Sequence, residues 1–318
     1  MLNEIRDILL SIVLFIFFKP VLLVGRLLLS KKAYKALSFK LITFTNNVFG
    51  YYRDQLSDYN KIKYDMRKYR DTYDRKGLEL YFQLVSAEDL FLNKKILDFG
   101  CGVGGKALEI LKYNPEHVMG IDLSKRDIDY AKELLNDSNK SKLFFEYKDI
   151  LDLKDPESFD SIVSFTVFEH VDTPLLLPIL DKMYELLKKN GNLLIVFNHF
   201  NDRFGSHLKE YIFHPWPQSL FDEEMIYEYW NQSLISDKNS NDNSYFPKNY
   251  RHGVGNHNED CYINLNKLNI SDFEKIIKQT KFKYVDRYDY SRLKILDKLN
   301  FLPSKYLQGS SVYYLKKG

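Results

Sequence analysis

Asp98-Phe99-Gly100-Cys101-Gly102-Val103-Gly104-Gly105 is the stretch that decides how this chain folds. The run before it, Lys95-Ile96-Leu97, is short and apolar, and Ala107, Leu108, Ile110 and Leu111 after it recur at helical spacing. Strand, glycine turn and helix in that order make a βα unit. Its glycines allow a tight turn and the close approach of a ligand to the backbone. Taken alone the pattern is weak, because Gly100, Gly102 and Gly105 also satisfy the dinucleotide pattern G-x-G-x-x-G. The neighbouring acids discriminate. Asp98 ends the strand, where it would repel a pyrophosphate and attract a positive amino group. Asp122 ends the next strand, placed to accept both hydroxyls of a ribose. Asp149 ends the third, placed to accept from an exocyclic adenine amine.

Working outward, β-branched and aromatic runs at 117–121, 143–147, 161–165 and 193–197 alternate with helical patterns at 125–135 and 175–188. Asn190-Gly191-Asn192 is the expected turn into the fifth strand. This alternation predicts a largely parallel sheet with helices on both faces, and a ligand beyond the carboxyl ends of the strands where their order reverses. Residues 231–262 are rich in Asn, Ser, Asp and His without apolar periodicity, and are expected to form an inserted, lid-like loop. A helix resumes over 271–278, with Ser271 as its N-cap and Glu274 completing a capping box. Runs at 282–290 and 311–315 close the sheet, giving seven strands.

These residues closely resemble the class I S-adenosylmethionine-dependent methyltransferases, in the subgroup whose glycine motif reads D-x-G-C-G-x-G. The resemblance covers roughly residues 94–200. It implies a Rossmann-like class I methyltransferase fold with S-adenosyl-L-methionine as cofactor. On that pattern Asp98, Gly100, Cys101, Gly102 and Gly104 cradle the methionine part, and Asp122 with Leu123 takes the ribose. Asp149 and Ile150 flank the adenine, and Phe165 ends the fourth strand beside the cofactor. Phe168-Glu169-His170-Val171 resembles the family's E-H-V element. Tyr184 and Lys188 form the Y-x-x-x-K pair of short-chain dehydrogenases, but they precede the fifth strand instead of following it, so NAD is not expected.

Methyl transfer from a sulfonium needs the reactants aligned and, for an oxygen acceptor, a base. Histidine is the default base near neutral pH. His170 follows the fourth strand, His199 the fifth, and His207 and His214 the next segment, so four histidines are expected near the carboxyl edge of the sheet. His170, His199 and His214 are the catalytic candidates. Some quinone O-methyltransferases that the chain resembles carry a further acid three residues before the E-H pair. Thr166 stands there, and no metal is expected. Asp71, Tyr73, Asp74, Lys68 and Arg70 occupy the segment that caps the cofactor in such enzymes, or a solvated helix; neither reading is favoured.

The charge is divided unevenly. The formal net charge is +3. Residues 1–76 hold 15 Lys/Arg against 7 Asp/Glu, and residues 77–318 hold 31 against 36. A basic N-terminal segment therefore precedes a mildly acidic body, which speaks against nucleic acid as a partner. Two cysteines, Cys101 and Cys261, cannot build a disulfide framework. A single long apolar stretch, residues 8–29, excludes a polytopic membrane protein. Lys19 near its middle costs roughly 2.5–3.5 kcal/mol on insertion, about what six or seven Leu, Ile or Phe residues return. Pro20 is expected to kink it. Either a tilted span or a bent helix entering one leaflet is compatible. Leu37, Leu41, Phe44 and Val48 continue at helical spacing, with Lys31, Lys32, Lys35 and Lys40 close behind the apolar stretch.

The expectation is thus a membrane-associating segment, residues 1–52, touching the lipid surface through residues 8–48. It precedes a cytoplasmic methyltransferase domain, residues 53–318, acting on a small-molecule or lipid- or glycan-linked acceptor at oxygen. A non-catalytic assembly factor that retains the fold is the alternative.

Overall fold

The computed structural model describes residues 2–51, 65–202, 212–226, 228–229, 232–233, 266–291 and 308–318. The N-terminal pair is α1, Leu2–Leu28, and α2, Lys31–Val48. After α3, Met66–Tyr69, and α4, Ala87–Phe91, the sheet begins with β1, Lys95–Phe99. Then come α5, Gly105–Ile110, β2, His117–Asp122, α6, Lys125–Lys132, β3, Leu143–Tyr147, and β4, Phe159–Phe165. The chain continues through α7, Thr173–Leu186, β5, Leu187–Asn198, and the short α8, Pro217–Leu220. It ends with α9, Ile270–Ile277, β6, Lys283–Ser291, and β7, Gln308–Lys316.

The strand order is β3-β2-β1-β4-β5-β7-β6. β1 to β5 run parallel, and β7 is antiparallel to both its neighbours. The order therefore reverses between β1 and β4, which puts a crevice at their carboxyl ends. Alternation along each strand builds the two faces. Leu97, Phe99, Leu193, Ile195 and Phe197 pack with α7 and α9. Ile96, Leu194 and Val196 pack on the other side with residues of α4, α5 and α6.

Two local expectations are corrected. The N-cap before α9 is Asn269, whose side-chain Oδ1 accepts from Asp272 N at 3.0 Å; Ser271 already lies inside the helix. A more favourable Asx cap two residues upstream outcompetes the capping box built on Ser271. Asn190-Gly191 does not separate helix from strand, because β5 already begins at Leu187, opposite Phe159, with a register shift between Phe159 and Ser161. The inserted loop at 231–262 and His207 lie outside the described residues, apart from 232–233.

At the N-terminus, α1 runs unbroken through Pro20. It packs antiparallel to α2: Gly25 faces Leu37, Phe18 meets Phe44 at 5.6 Å, and Leu14 and Phe49 share a cluster. The buried residues of α2 are Tyr34, Ser38, Ile42, Thr45 and Asn46, continued by Phe49 at its C-cap. They lie beside the expected Leu37-Leu41-Phe44-Val48 stripe, because α2 must contact both α1 and the body. The cap assignment has a direct consequence. Asn269→Ala should lower unfolding stability by about 1 kcal/mol, while Ser271→Ala should stay within about 0.5 kcal/mol of the parent, compared by denaturant titration.

Candidate functional site

The glycine turn is shaped by close packing. Gly100, Gly102 and Gly104 have φ of +73°, +50° and +82°. A Cβ on Gly100 would stand 2.3 Å from Val167 Cγ2, and one on Gly104 would stand 2.7 Å from Phe145. Those two positions hold the turn tight against the loop after β4 and against β3. Gly102 differs, since nothing lies within 4 Å of its missing Cβ. It borders open space at the crevice.

Hydrogen bonds then tie the turn to its neighbours. Gly100 N and Cys101 N both donate to Ile121 O, at 2.9 and 3.0 Å. Asp122 accepts from Gly102 N at 2.9 Å and from Ser124 N at 2.8 Å. Asp74 accepts from Gly105 N at 2.7 Å, and Lys106 Nζ donates to the carbonyls of Asp74 and Lys76. Asp74 thereby takes up an amide at the start of α5. The sequence left that acid undecided, and its role depends on a contact thirty residues away.

Asp98 is 1% exposed, and its Oδ2 has no hydrogen-bond partner among the described residues. Burial, with the charges of Asp74 and Asp122, pushes its carboxyl up to about 8. Asp122 and Asp74 are also raised, mainly by burial. Three acids thus crowd one turn, and Lys106 is the cation opposing them at Asp98. An orphaned buried carboxylate beside an open glycine fits a ligand that carries an amino group there.

The remaining cofactor candidates spread along the same edge. Asp149 caps the turn after β3, accepting from Leu151 N at 2.9 Å. Leu123, Tyr147 and Asp149 line one cleft. Ile150 is buried beneath it. Cys101 is buried; its thiol packs where a side chain on Gly120 would stand, and burial pushes it up, so it supports the turn from below. Phe165 closes the end of β4, with the Tyr81 ring 5.3 Å away.

The histidines do not converge as expected. His170 is half-exposed, in a short turn after β4. His199 is buried between β5 and β7, with Nε2 2.9 Å from Ser311 Oγ and 3.3 Å from Tyr313 Oη. Burial and the nearby Arg287 charge push it down to about 3. His214 is buried against Phe49 and Phe221 at the α1–α2 hairpin, where burial pushes it to about 4. Sequence order alone put His199 and His214 at the acceptor side. The pleat turns the first into the sheet packing, and α2 covers the second.

A different group emerges. Glu169 is 2% exposed, accepts from Asn198 Nδ2 at 2.8 Å, and is pushed by burial to about 7. The charges of Glu169 and Asp74 both reach Tyr81, whose phenol is raised mainly by burial. Tyr290 stands 6.3 Å from Tyr81 in an edge contact. Asn198, Tyr81 and Tyr290 were missed. Asn198 had a signal in its place at the end of a strand; the tyrosines had none. Among the described residues, no three His, Cys, Asp or Glu side chains gather as metal ligands.

Comparison with known proteins agrees with this geometry. Residues 96–191 match a family described as a methyltransferase domain. The chain is 32% identical over 141 residues to a phosphoethanolamine N-methyltransferase of Plasmodium falciparum, covering 42% of this chain and 52% of that protein. It is 33% identical over 146 residues to a ubiquinone biosynthesis O-methyltransferase of Pelagibacter ubique, covering 45% and 56%. It therefore spans about half the length of these curated relatives. A putative S-adenosylmethionine-dependent methyltransferase from Listeria monocytogenes superposes with a TM-score of 0.47 at 14% identity, over 76% of this chain and 97% of that one. The matched region, residues 96–191, is a methyltransferase domain. The open turn at Gly102 and the orphaned Asp98 carboxylate fit S-adenosyl-L-methionine, the cofactor expected from the glycine motif.

The charge at Asp98 predicts a linked proton. With its carboxyl raised to about 8, the ligand-free site holds a proton at pH 7. A cationic amino group favours the ionised form, so binding should release that proton and affinity should rise with pH up to about 8. Calorimetry in buffers of different ionisation enthalpy should show the release. Asp98→Asn should abolish it and weaken cofactor binding at least about tenfold.

Proposed function

We propose that the chain is a membrane-associated methyltransferase that transfers a methyl group to an oxygen of a small-molecule or lipid-linked acceptor on the cytoplasmic side. The observation carrying the transferase reading is the orphaned Asp98 carboxylate beneath the open turn at Gly102. When bound, the cofactor supplies an electrophilic methyl group on a sulfonium. In this reading Asp98 holds its amino group and Gly100, Cys101, Gly102 and Gly104 pack along the methionine part. Asp122 and Leu123 take the ribose, Asp149 and Ile150 the adenine. Phe165 and Tyr81 exclude water beside the reacting carbon, where alignment supplies much of the acceleration.

An oxygen acceptor must lose a proton. Glu169 is suited to receive it, since a carboxylate raised to about 7 is a stronger base than an ordinary one and is still ionised in half the molecules at that pH. Asn198 holds Oε1, and Oε2 is the atom assigned to the proton. His170, next in sequence and half-exposed, is the second candidate. His199, held by Ser311 and Tyr313 within the sheet packing, and His214, enclosed by Phe49 and Phe221, are assigned structural places.

Two further observations favour an acceptor from the bilayer. α1 exposes Leu9, Ile16, Phe17 and Leu27 at 58%, 60%, 67% and 82%. Gln218 Nε2, at the start of α8, donates to the carbonyls of Phe200 and Asp202, just past the carboxyl end of β5. The segment that carries α1 is therefore tied to the edge that holds the acceptor side. The relatives are named for phosphoethanolamine and ubiquinone biosynthesis, and another for a sterol, so acceptor class is read from this chain's own surface.

Incubation with methyl-labelled cofactor and fractionated membranes tests the reading. Label should enter the lipid extract as a methyl ether or ester. Glu169→Gln should lower kcat about 10²–10⁴-fold with cofactor affinity retained, and should remove the rise of rate with pH through about 7. No turnover with any fraction would favour the non-catalytic assembly factor.

A further inference from the structure

By length and composition the segment Arg6–Leu28 is sufficient to cross a bilayer. Its packing argues otherwise. The buried positions of α1 are Asp7, Ile8, Ser11, Leu14, Leu22 and Gly25, a stripe recurring at helical spacing. That stripe meets protein along the whole helix. Near the start, the Arg6 guanidinium lies 4.5 Å over the Tyr51 ring. In the middle, Lys19 Nζ donates to Ser219 O and Leu220 O at 3.0 and 3.2 Å. Near the end, Arg26 pairs with Asp222 at 3.3 Å.

A crossing helix would carry these partners with it. α2, antiparallel along its full length, bears Lys40, Asn46 and Asn47. The segment after α8 bears Asp222, Glu224 and Glu228, which pair with Arg26, Lys31 and Lys35. Placing that many polar and ionic groups in hydrocarbon is prohibitive. Lying in the plane of one leaflet avoids it. The exposed apolar side of α1 then enters the acyl chains, and α2 with residues 217–229 stays on the water side. Charge agrees. Residues 8–53 contain no acid. Lys32 and Lys40 are exposed and, among the described residues, outside every ion pair, so they can meet anionic headgroups.

We infer that the α1–α2 hairpin is a monotopic anchor, lying in one leaflet without crossing, with an anionic lipid surface as its partner. This rests on the membrane association proposed above, and deepens it. Both ends of α1 then stay on the same side of the bilayer. The anchor also holds the carboxyl edge of the sheet near the headgroups, through Lys19 on the carbonyls of 219 and 220 and Gln218 on those of 200 and 202.

Topology decides between the geometries. In the full chain with Cys261→Ser, single cysteines are introduced by Asn3→Cys or Ala33→Cys and probed with a membrane-impermeant maleimide in inverted membrane vesicles. Both should label to within about twofold of their level after detergent. Protection of one end until detergent is added would overturn the monotopic geometry and leave membrane association standing. Recovery of the protein wholly in the soluble fraction would instead defeat the association itself. In a second measurement, purified chain is floated with phosphatidylglycerol-containing vesicles. Ile16→Lys with Leu23→Lys, both on the exposed side, should weaken partition at least about tenfold while leaving the thermal transition unchanged. Unchanged partition would overturn the assignment of that face to lipid.

Discussion

Asp98 ends a central strand with one carboxylate oxygen buried and unpartnered, and the geometry around it follows from that. A buried carboxylate without a partner is costly, and two neighbouring acids raise the cost. The fold tolerates it because β1 sits at the point where strand order reverses, so the end of the strand opens on a crevice. The glycines shape the opening. Gly100 and Gly104 let Val167 and Phe145 close on the turn, while Gly102 leaves space for a ligand. Without a ligand the site relieves that cost by keeping a proton on Asp98 at neutral pH, and a cationic group can take the proton's place.

The sheet and the placement of the glycine turn and its neighbouring acids were largely legible in the sequence, for a physical reason. Their residues act near where they stand in the chain. A strand-end acid, a glycine turn and a helix start are contiguous; Asp98 and Asp122 stand at the carboxyl ends of β1 and β2, and Asp149 in the turn just after β3. The proposed acceptor side was less legible because its residues come from distant segments. Tyr81 comes from before β1, Glu169 from after β4, Asn198 from the end of β5 and Tyr290 from β6. Histidine, the expected base, misled on chemical type. His199 alternates into the sheet packing beside Ser311 and Tyr313, and His214 is sealed by Phe49 and Phe221. A carboxylate raised by burial takes over the range that histidine usually occupies.

The uneven charge acquires a structural meaning. Part of the basic excess of the N-terminal segment is answered within the fold, where Arg26, Lys31 and Lys35 face Asp222, Glu224 and Glu228. These pairs are mostly exposed, and each contributes little to stability. Together they fix the rotation of the hairpin about its own axis, because a wrong face would set like charges or apolar side chains against the acids of 222–228. Their value is orientation. They determine which side of α1 remains uncovered, and that side is almost entirely apolar.

Lys19 shows how the same residue reads differently in sequence and in structure. As one charge in an apolar run it is a penalty against insertion, and a modest one beside so many Leu, Ile and Phe residues. As a donor to two backbone carbonyls of residues 219 and 220 it is a fastening. Its ammonium satisfies acceptors of a short helix that begins at Pro217, and Gln218 in that helix reaches the chain leaving β5. In the proposed monotopic geometry the penalty falls away, because the charge never has to enter hydrocarbon. On that proposal a helix apolar enough to insert is held to the carboxyl edge of the sheet, so that an acceptor in the leaflet and a cofactor at the glycine turn would meet without the body leaving the membrane surface.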